Sequence, residues 1–194
     1  TTFRSPGADL SLARADVAGT GNSDVGYITG GYVYPSSRYS RVDKLTYSSD
    51  TLAYVPGTNL PAIRAQHTAM GNQTHGYIGA GYDPSNSYKS TIDKITYSSD
   101  TTASLSNSNL SEGRQMLSSV GNATRGYFAG GVASSPTGFR STVDRIEFST
   151  DTIQRIPGAD LTTPYRRSSA GTGNSTHGYF SCGGSQFGDD SSSV

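Results

Sequence analysis

Apolar residues in this chain come singly or in pairs among small and polar ones, and no segment carries a helical stripe with capping residues. The segment Thr91-Ile92-Asp93-Lys94-Ile95-Thr96-Tyr97 mixes β-branched, aromatic and charged positions, which predicts a strand with Ile92, Ile95 and Tyr97 buried. Upstream, Ala65 to Met70 predicts a strand that turns at Gly71-Asn72, because Gly and Asn tolerate positive φ. Gly76-Tyr77-Ile78-Gly79 predicts a second strand, stopped by a small-residue pair that lets backbones approach closely. A polar loop follows. Beyond the third strand, Ser98-Ser99-Asp100 predicts a tight turn and Thr101 to Leu105 a weaker fourth strand. The chain reads as all-β.

This four-strand pattern recurs. Gly21-Asn22, Gly71-Asn72, Gly121-Asn122 and Gly173-Asn174 are spaced by 50, 50 and 52 residues, and Gly26-Tyr27, Gly76-Tyr77, Gly126-Tyr127 and Gly178-Tyr179 keep the same steps. Asp43-Lys44, Asp93-Lys94 and Asp144-Arg145 follow at 50 and 51. Four strands in a repeat of about fifty residues is the pattern of a β-propeller blade. The expected division is blade 1 at 11–60, blade 2 at 61–110, blade 3 at 111–161 and an incomplete blade 4 at 162–194. Residues 1–10 align with 51–60, so they are expected to form the outer strand of a preceding or closing blade. Ser192-Ser193-Val194 aligns with Ser90-Thr91-Ile92, which gives the expectation of a segment from a larger array. Pairing of Phe3 beside Phe180 would instead mark a four-bladed ring.

The repeats resemble the kelch, or galactose-oxidase, type of propeller. The likeness rests on the Arg opening the first strand (Arg14, Arg64, Arg114), the Gly26-Tyr27-Ile28-Thr29-Gly30-Gly31 segment and the third-strand aromatic (Tyr47, Tyr97, Phe148). The chain departs from that pattern in having no Trp and in carrying Gly79-Ala80-Gly81. Its wording is also similar to repeats in large virion proteins of cyanophages and other marine viruses. That resemblance implies a virion or extracellular location within a tail, fibre or appendage protein, with other structural proteins or copies of the chain as partners.

Composition narrows the classes. Leu, Ile, Val and Phe make up 32 of 194 residues, a level that ordinarily flags disorder. Zero formal charge, 13 Tyr and glycines recurring in register remove the flag. The balance of 15 basic and 15 acidic residues argues against nucleic-acid binding and against a polybasic membrane surface. No apolar run is long enough to span a bilayer. One Cys, Cys182, allows no intrachain disulfide.

The candidate chemistry is that of binding. Arg14, Arg64, Arg114 and, in the fourth unit, Arg166 stand at the first-strand start. The kelch resemblance implies a partial ring of guanidinium groups around a channel mouth, and the alternative is that each Arg bonds carbonyls of a neighbouring blade. Between the second and third strands, loops carry Tyr32, Tyr34, Arg38 and Tyr39, then Tyr82 and Tyr88, then Phe139 and Arg140. Aromatic and cationic side chains on Ser-rich loops of a rigid frame suit recognition, including stacking on a host-surface glycan. Asp43, Asp93 and Asp144 are expected on a solvated strand face, too far apart to share a metal. Asp50, Asp100 and Asp151 are expected to bond their own turn backbone. The sequons at Asn72, Asn122 and Asn174 read as the same turn chemistry. The histidines are His67, His75 and His177, of which His75 and His177 hold equivalent surface positions. No nucleophile elbow, zincin pair or phosphate loop is present, so no enzyme, metal or cofactor is expected. The copper-radical oxidases of this fold class need a Cys–Tyr crosslink and paired histidines, which this sequence does not group.

Overall fold

The computed structural model describes residues 6–35, 37–85, 87–133, 138–162, 170–174, 176–181, 183–184 and 190–191. Arg166, Cys182, Phe3 and the 192–194 segment lie outside the described residues, as do positions 134–137 of the third loop.

The chain is all-β. In the first unit, β1 (Ala18–Gly21), β2 (Val25–Thr29), the short pair β3 (Tyr32–Val33) and β4 (Ser37–Arg38), β5 (Val42–Thr46) and β6 (Thr51–Tyr54) follow in order. The second unit holds β7 (Thr68–Gly71), β8 (His75–Gly79), β9 (Ile92–Thr96) and β10 (Thr101–Ser104). The third holds β11 (Ser118–Gly121), β12 (Arg125–Ala129), β13 (Val143–Glu147) and β14 (Thr152–Arg155). After it come β15 (Ala170–Gly173), β16 (Gly178–Ser181), β17 (Gly183–Gly184) and β18 (Asp190–Ser191). Three four-stranded antiparallel meanders result, ordered β1-β2-β5-β6, β7-β8-β9-β10 and β11-β12-β13-β14, with β15-β16 a two-stranded sheet. First strands are neighbours in turn: β1 lies against β7, β7 against β11, and β11 against β15.

Register follows from the turns. In the β7–β8 hairpin Gly71 faces Gly76, and the Asn72 side-chain carbonyl accepts the N–H groups of Thr74 and His75 at 2.8 and 2.9 Å. Asn22, Asn122 and Asn174 cap their turns in the same way. The first strand begins later than its sequence suggests, at Thr68. Gln66 takes a left-handed φ of +53°, which interrupts the ladder and leaves Ala65 a single bridge to Tyr82. Asp16 and Met116 repeat that bend at φ +56° and +55°. They also link the units, since Gln66 N–H donates to Asp16 O and Met116 N–H to Gln66 O.

The inner strands of the middle sheet are packed on both faces. Ile95 and Tyr97 point to one side and cluster with Tyr27, Val42, Leu60 and Ile78, whereas Ile92 points to the other and joins Tyr77, Leu110, Phe128, Ile146 and Phe148. Ile92, Ile95 and Tyr97 are buried, as their pattern predicts. Each such side chain contributes about 1.5–3 kcal/mol on burial. The cores therefore lie between sheets and hold consecutive units together.

Candidate functional site

The arginines that open the first strands turn inward. The side chains of Arg14, Arg64 and Arg114 are each 0% exposed. Arg64 Nη1 donates to the carbonyls of Ala80 and Thr91 at 3.0 and 3.1 Å, and Nη2 donates to Thr91 Oγ1 at 3.1 Å. Its Nη2 is also 2.8 Å from Asp93 Oδ2, a charge contact without hydrogen-bond alignment, while Asp93 Oδ1 accepts from Ser104. Arg114 repeats the arrangement, donating to Gly130 O and Thr142 O at 2.8 Å and to Asp144 Oδ2. Arg14 pairs with Asp43 at 3.0 Å. Burial pushes the Arg64 and Arg114 guanidiniums below their ordinary range, opposed by Asp93 and Asp144.

Two expectations are corrected here. The three described guanidiniums do not ring an open mouth, and the carbonyls they bond belong to their own sheets, not to neighbouring ones. Asp43, Asp93 and Asp144 are not on a solvated face: each is fully buried as the counter-charge of its Arg. The arginine main chain, not its head group, reaches across. Gly31 N–H donates to Arg64 O at 3.0 Å and Gly81 N–H to Arg114 O at 2.8 Å.

The hairpin aspartates also do more than close their turns. Asp50, Asp100 and Asp151 hold left-handed φ near +50°, but Asp100 and Asp151 accept from the preceding sheet. Tyr27 OH and Lys44 Nζ donate to Asp100, and Tyr77 OH and Lys94 Nζ to Asp151 at 2.7 Å each. Over each contact the rings stack, Tyr27 on Tyr97 and Tyr77 on Phe148. Burial, reinforced by the aspartates, raises both the Tyr27 and Tyr77 phenols. At Asp100 burial acts upward, yet Lys44 and Tyr27 outweigh it and hold the carboxyl below its usual range.

The loops form the open surface. Arg38 lies over the Tyr82 ring at 4.2 Å and 5.8 Å from the Tyr32 ring, joining the loops of units 1 and 2. Tyr34 stands clear of it at 86% exposure. Tyr39 is half-buried, its carbonyl accepting from Arg64 N–H. Tyr88 bridges to Tyr82, and its hydroxyl accepts from Gln115 Nε2 at 3.3 Å. Phe139 bridges to Val132, and Arg140 is held by both oxygens of Glu112 at 2.9 Å. The structure thus brings Tyr32, Arg38 and Tyr82 together, ties Tyr88 toward unit 3, and keeps Phe139 and Arg140 within unit 3.

His67 was not singled out by its motif and proves to be a wedge between sheets. It is buried, with Nε2 2.9 Å from Thr29 Oγ1. Desolvation, with Arg64 beside it, lowers its pKa to about 3, so it is neutral. Val17 and Leu117 occupy the same place in the other units, and that alternation with apolar residues was the available signal.

Among known proteins, the chain matches no family model and no curated sequence.

Proposed function

We propose that the three meanders are consecutive blades of a kelch-like β-propeller, and that the molecule is a non-enzymatic binding or assembly module acting through its loop face. The blade reading draws support from first strands adjacent in chain order and from Tyr–aromatic, Tyr–Asp and Lys–Asp contacts repeated between sheets. The repeat style carries the further proposal of a tail, fibre or appendage protein of a virus, in a virion or extracellular setting.

The observation behind the binding role is the Tyr32–Arg38–Tyr82 group with Tyr34 exposed beside it. Aromatic rings with a guanidinium over one of them, on loops anchored by buried ion pairs, offer flat apolar faces and charged donors at low ordering cost. A host-surface glycan with acidic groups suits that chemistry. The purified chain is applied to a glycan array, followed by the Tyr34→Ala/Tyr82→Ala variant. Retained glycans whose signal falls at least tenfold in the variant support the reading. An array with no retained glycan, or signals the variant leaves unchanged, removes the carbohydrate role.

A further inference from the structure

The units balance one group of charges differently. In units 2 and 3, Asp93 and Asp144 each pair with one guanidinium, that of Arg64 or Arg114, and the residue just before the third strand is a threonine, Thr91 or Thr142. Unit 1 has Arg41 at that place. Asp43 therefore faces two guanidiniums: Arg14 at 3.0 Å, and Arg41, whose Nε is 3.5 Å from Oδ1. One carboxylate offsets one of them, so the group keeps an excess positive charge. In unit 3 the cation at the end of the fourth strand has an acid of its own, since Arg155 Nη2 donates to Asp160 Oδ2 at 2.6 Å. Asn59 holds the place of Asp160 in unit 1. It brings no charge, and its Nδ2 donates to Tyr54 OH at 2.8 Å.

Arg41 is also held in place. Its guanidinium carbon sits over the Tyr54 ring, 3.5 Å from the centroid. Its Nε donates to Ser11 Oγ at 2.8 Å, and the Ser11 hydroxyl in turn donates to Asp43 Oδ1. With Nε occupied, Nη1 and Nη2 have no hydrogen-bond partner among the described residues, and the side chain is 25% exposed. This corner is open where a preceding sheet is present as well, because Ser104 and Arg155, at the place of Tyr54 in units 2 and 3, are exposed. We propose that Arg41, seated on Tyr54, is a binding site for an oxyanion, a carboxylate or phosphate group carried by a larger ligand. Nη1 and Nη2 donate in parallel to two of its oxygens, as a planar guanidinium fork does. Tyr54 and Ser11 fix the fork before the ligand arrives, which lowers the ordering cost of binding. The site uses none of Tyr32, Tyr34, Arg38 or Tyr82, so it does not rest on the loop reading.

The test follows NMR signals of the isotope-labelled 194-residue chain in phosphate-free buffer. The probes are inorganic phosphate, methyl glucuronide as the carboxylate, and uncharged methyl glucoside as the control. Saturable shifts of the Arg41 Nε–H and of the Ser11 and Tyr54 amides are expected with at least one oxyanion and not with the glucoside. The tighter of the two oxyanions names the ligand class, and equal binding makes the oxyanion itself the recognised group. Arg41→Thr installs the residue that units 2 and 3 carry, so the chain should fold, and the shifts at Ser11 and Tyr54 should vanish. Arg41→Lys keeps the charge without the fork and should weaken binding about tenfold. No saturation by either oxyanion, equal binding of the glucoside, or shifts that survive Arg41→Thr overturns the proposal. Equal binding by the Arg41→Lys chain overturns the two-pronged geometry.

Discussion

Tyr77 of β8 lies parallel to Phe148, ring centroids 4.7 Å apart and planes 10° from each other, while its hydroxyl donates to Asp151 one turn further on. Stacking and the charge-assisted bond act on one side chain, so their contributions can be separated. Tyr77→Phe keeps the stack and removes the bond; with Lys94 still on Asp151, it should cost about 1 kcal/mol in urea unfolding. Tyr77→Leu also loses the ring pair, about 0.5–1.5 kcal/mol more. The equivalent Tyr27→Phe should match Tyr77→Phe. A marked inequality would mean the two interfaces do not share one design.

The buried Arg114–Asp144 pair gives a second expectation. Asp144→Ala leaves a guanidinium at 0% exposure with its counter-charge gone, and should cost about 3–5 kcal/mol. Arg114→Leu strands the carboxylate and should cost about as much. The Arg114→Leu/Asp144→Leu double variant removes both charges and should cost well under the sum of the two singles, a coupling of about 1–3 kcal/mol. Strict additivity in chemical denaturation would deny that the two side chains act as a buried unit.

Much of this fold was legible because strand patterning and turn chemistry are local. Asn72 needs only its own next residues to make its turn, and Ile92, Ile95 and Tyr97 announce burial by type. The partners of polar residues were not local. Asp93 and Asp100 read as surface and turn positions because neither Arg64 nor Tyr27 is near them in sequence. One signal was available: Arg14 to Asp43, Arg64 to Asp93 and Arg114 to Asp144 are separated by 29, 29 and 30 residues, a constancy that a solvated face does not require. Arg38 over Tyr82 carried no such signal, since it depends on how two variable loops meet.

His67 makes stability depend on pH. Its imidazole titrates near 6.5 when unfolded and near 3 when buried, so between those values the unfolded chain holds the extra proton. Stability is therefore full above about pH 6.5 and falls as pH drops toward 3. From pH 7 to 5 the loss is on the order of 2 kcal/mol. His67→Leu, which installs the residue unit 3 carries at Leu117, should remove that component and flatten the profile. His75, also lowered by burial and by Lys94, is present in both proteins and cancels in the comparison. Parallel profiles of Tm against pH for the two proteins would show that His67 does not titrate in this way.

The same histidine adds to the crowding at one glycine position whose equivalent in the next unit carries a methyl group. Gly30, Ala80 and Gly130 hold equivalent places with φ of +57°, +66° and +68°. A Cβ on Gly30 would lie 2.6 Å from Arg64 O and 2.7 Å from His67 Cε1, whereas Ala80 packs in a core with Leu117 where the imidazole would be. Gly30→Ala should therefore destabilise by about 1–3 kcal/mol through crowding added to left-handed strain. Ala80→Gly relieves about 1 kcal/mol of strain and loses a buried methyl worth about 0.8 kcal/mol, leaving it near neutral. Adding His67→Leu to Gly30→Ala should recover part of the loss, because the ring edge is gone and Arg64 O alone remains in the way. Thermal unfolding of the three variants checks this. If His67→Leu worsens Gly30→Ala by its full single-variant cost, the crowding comes from the backbone and not from the imidazole.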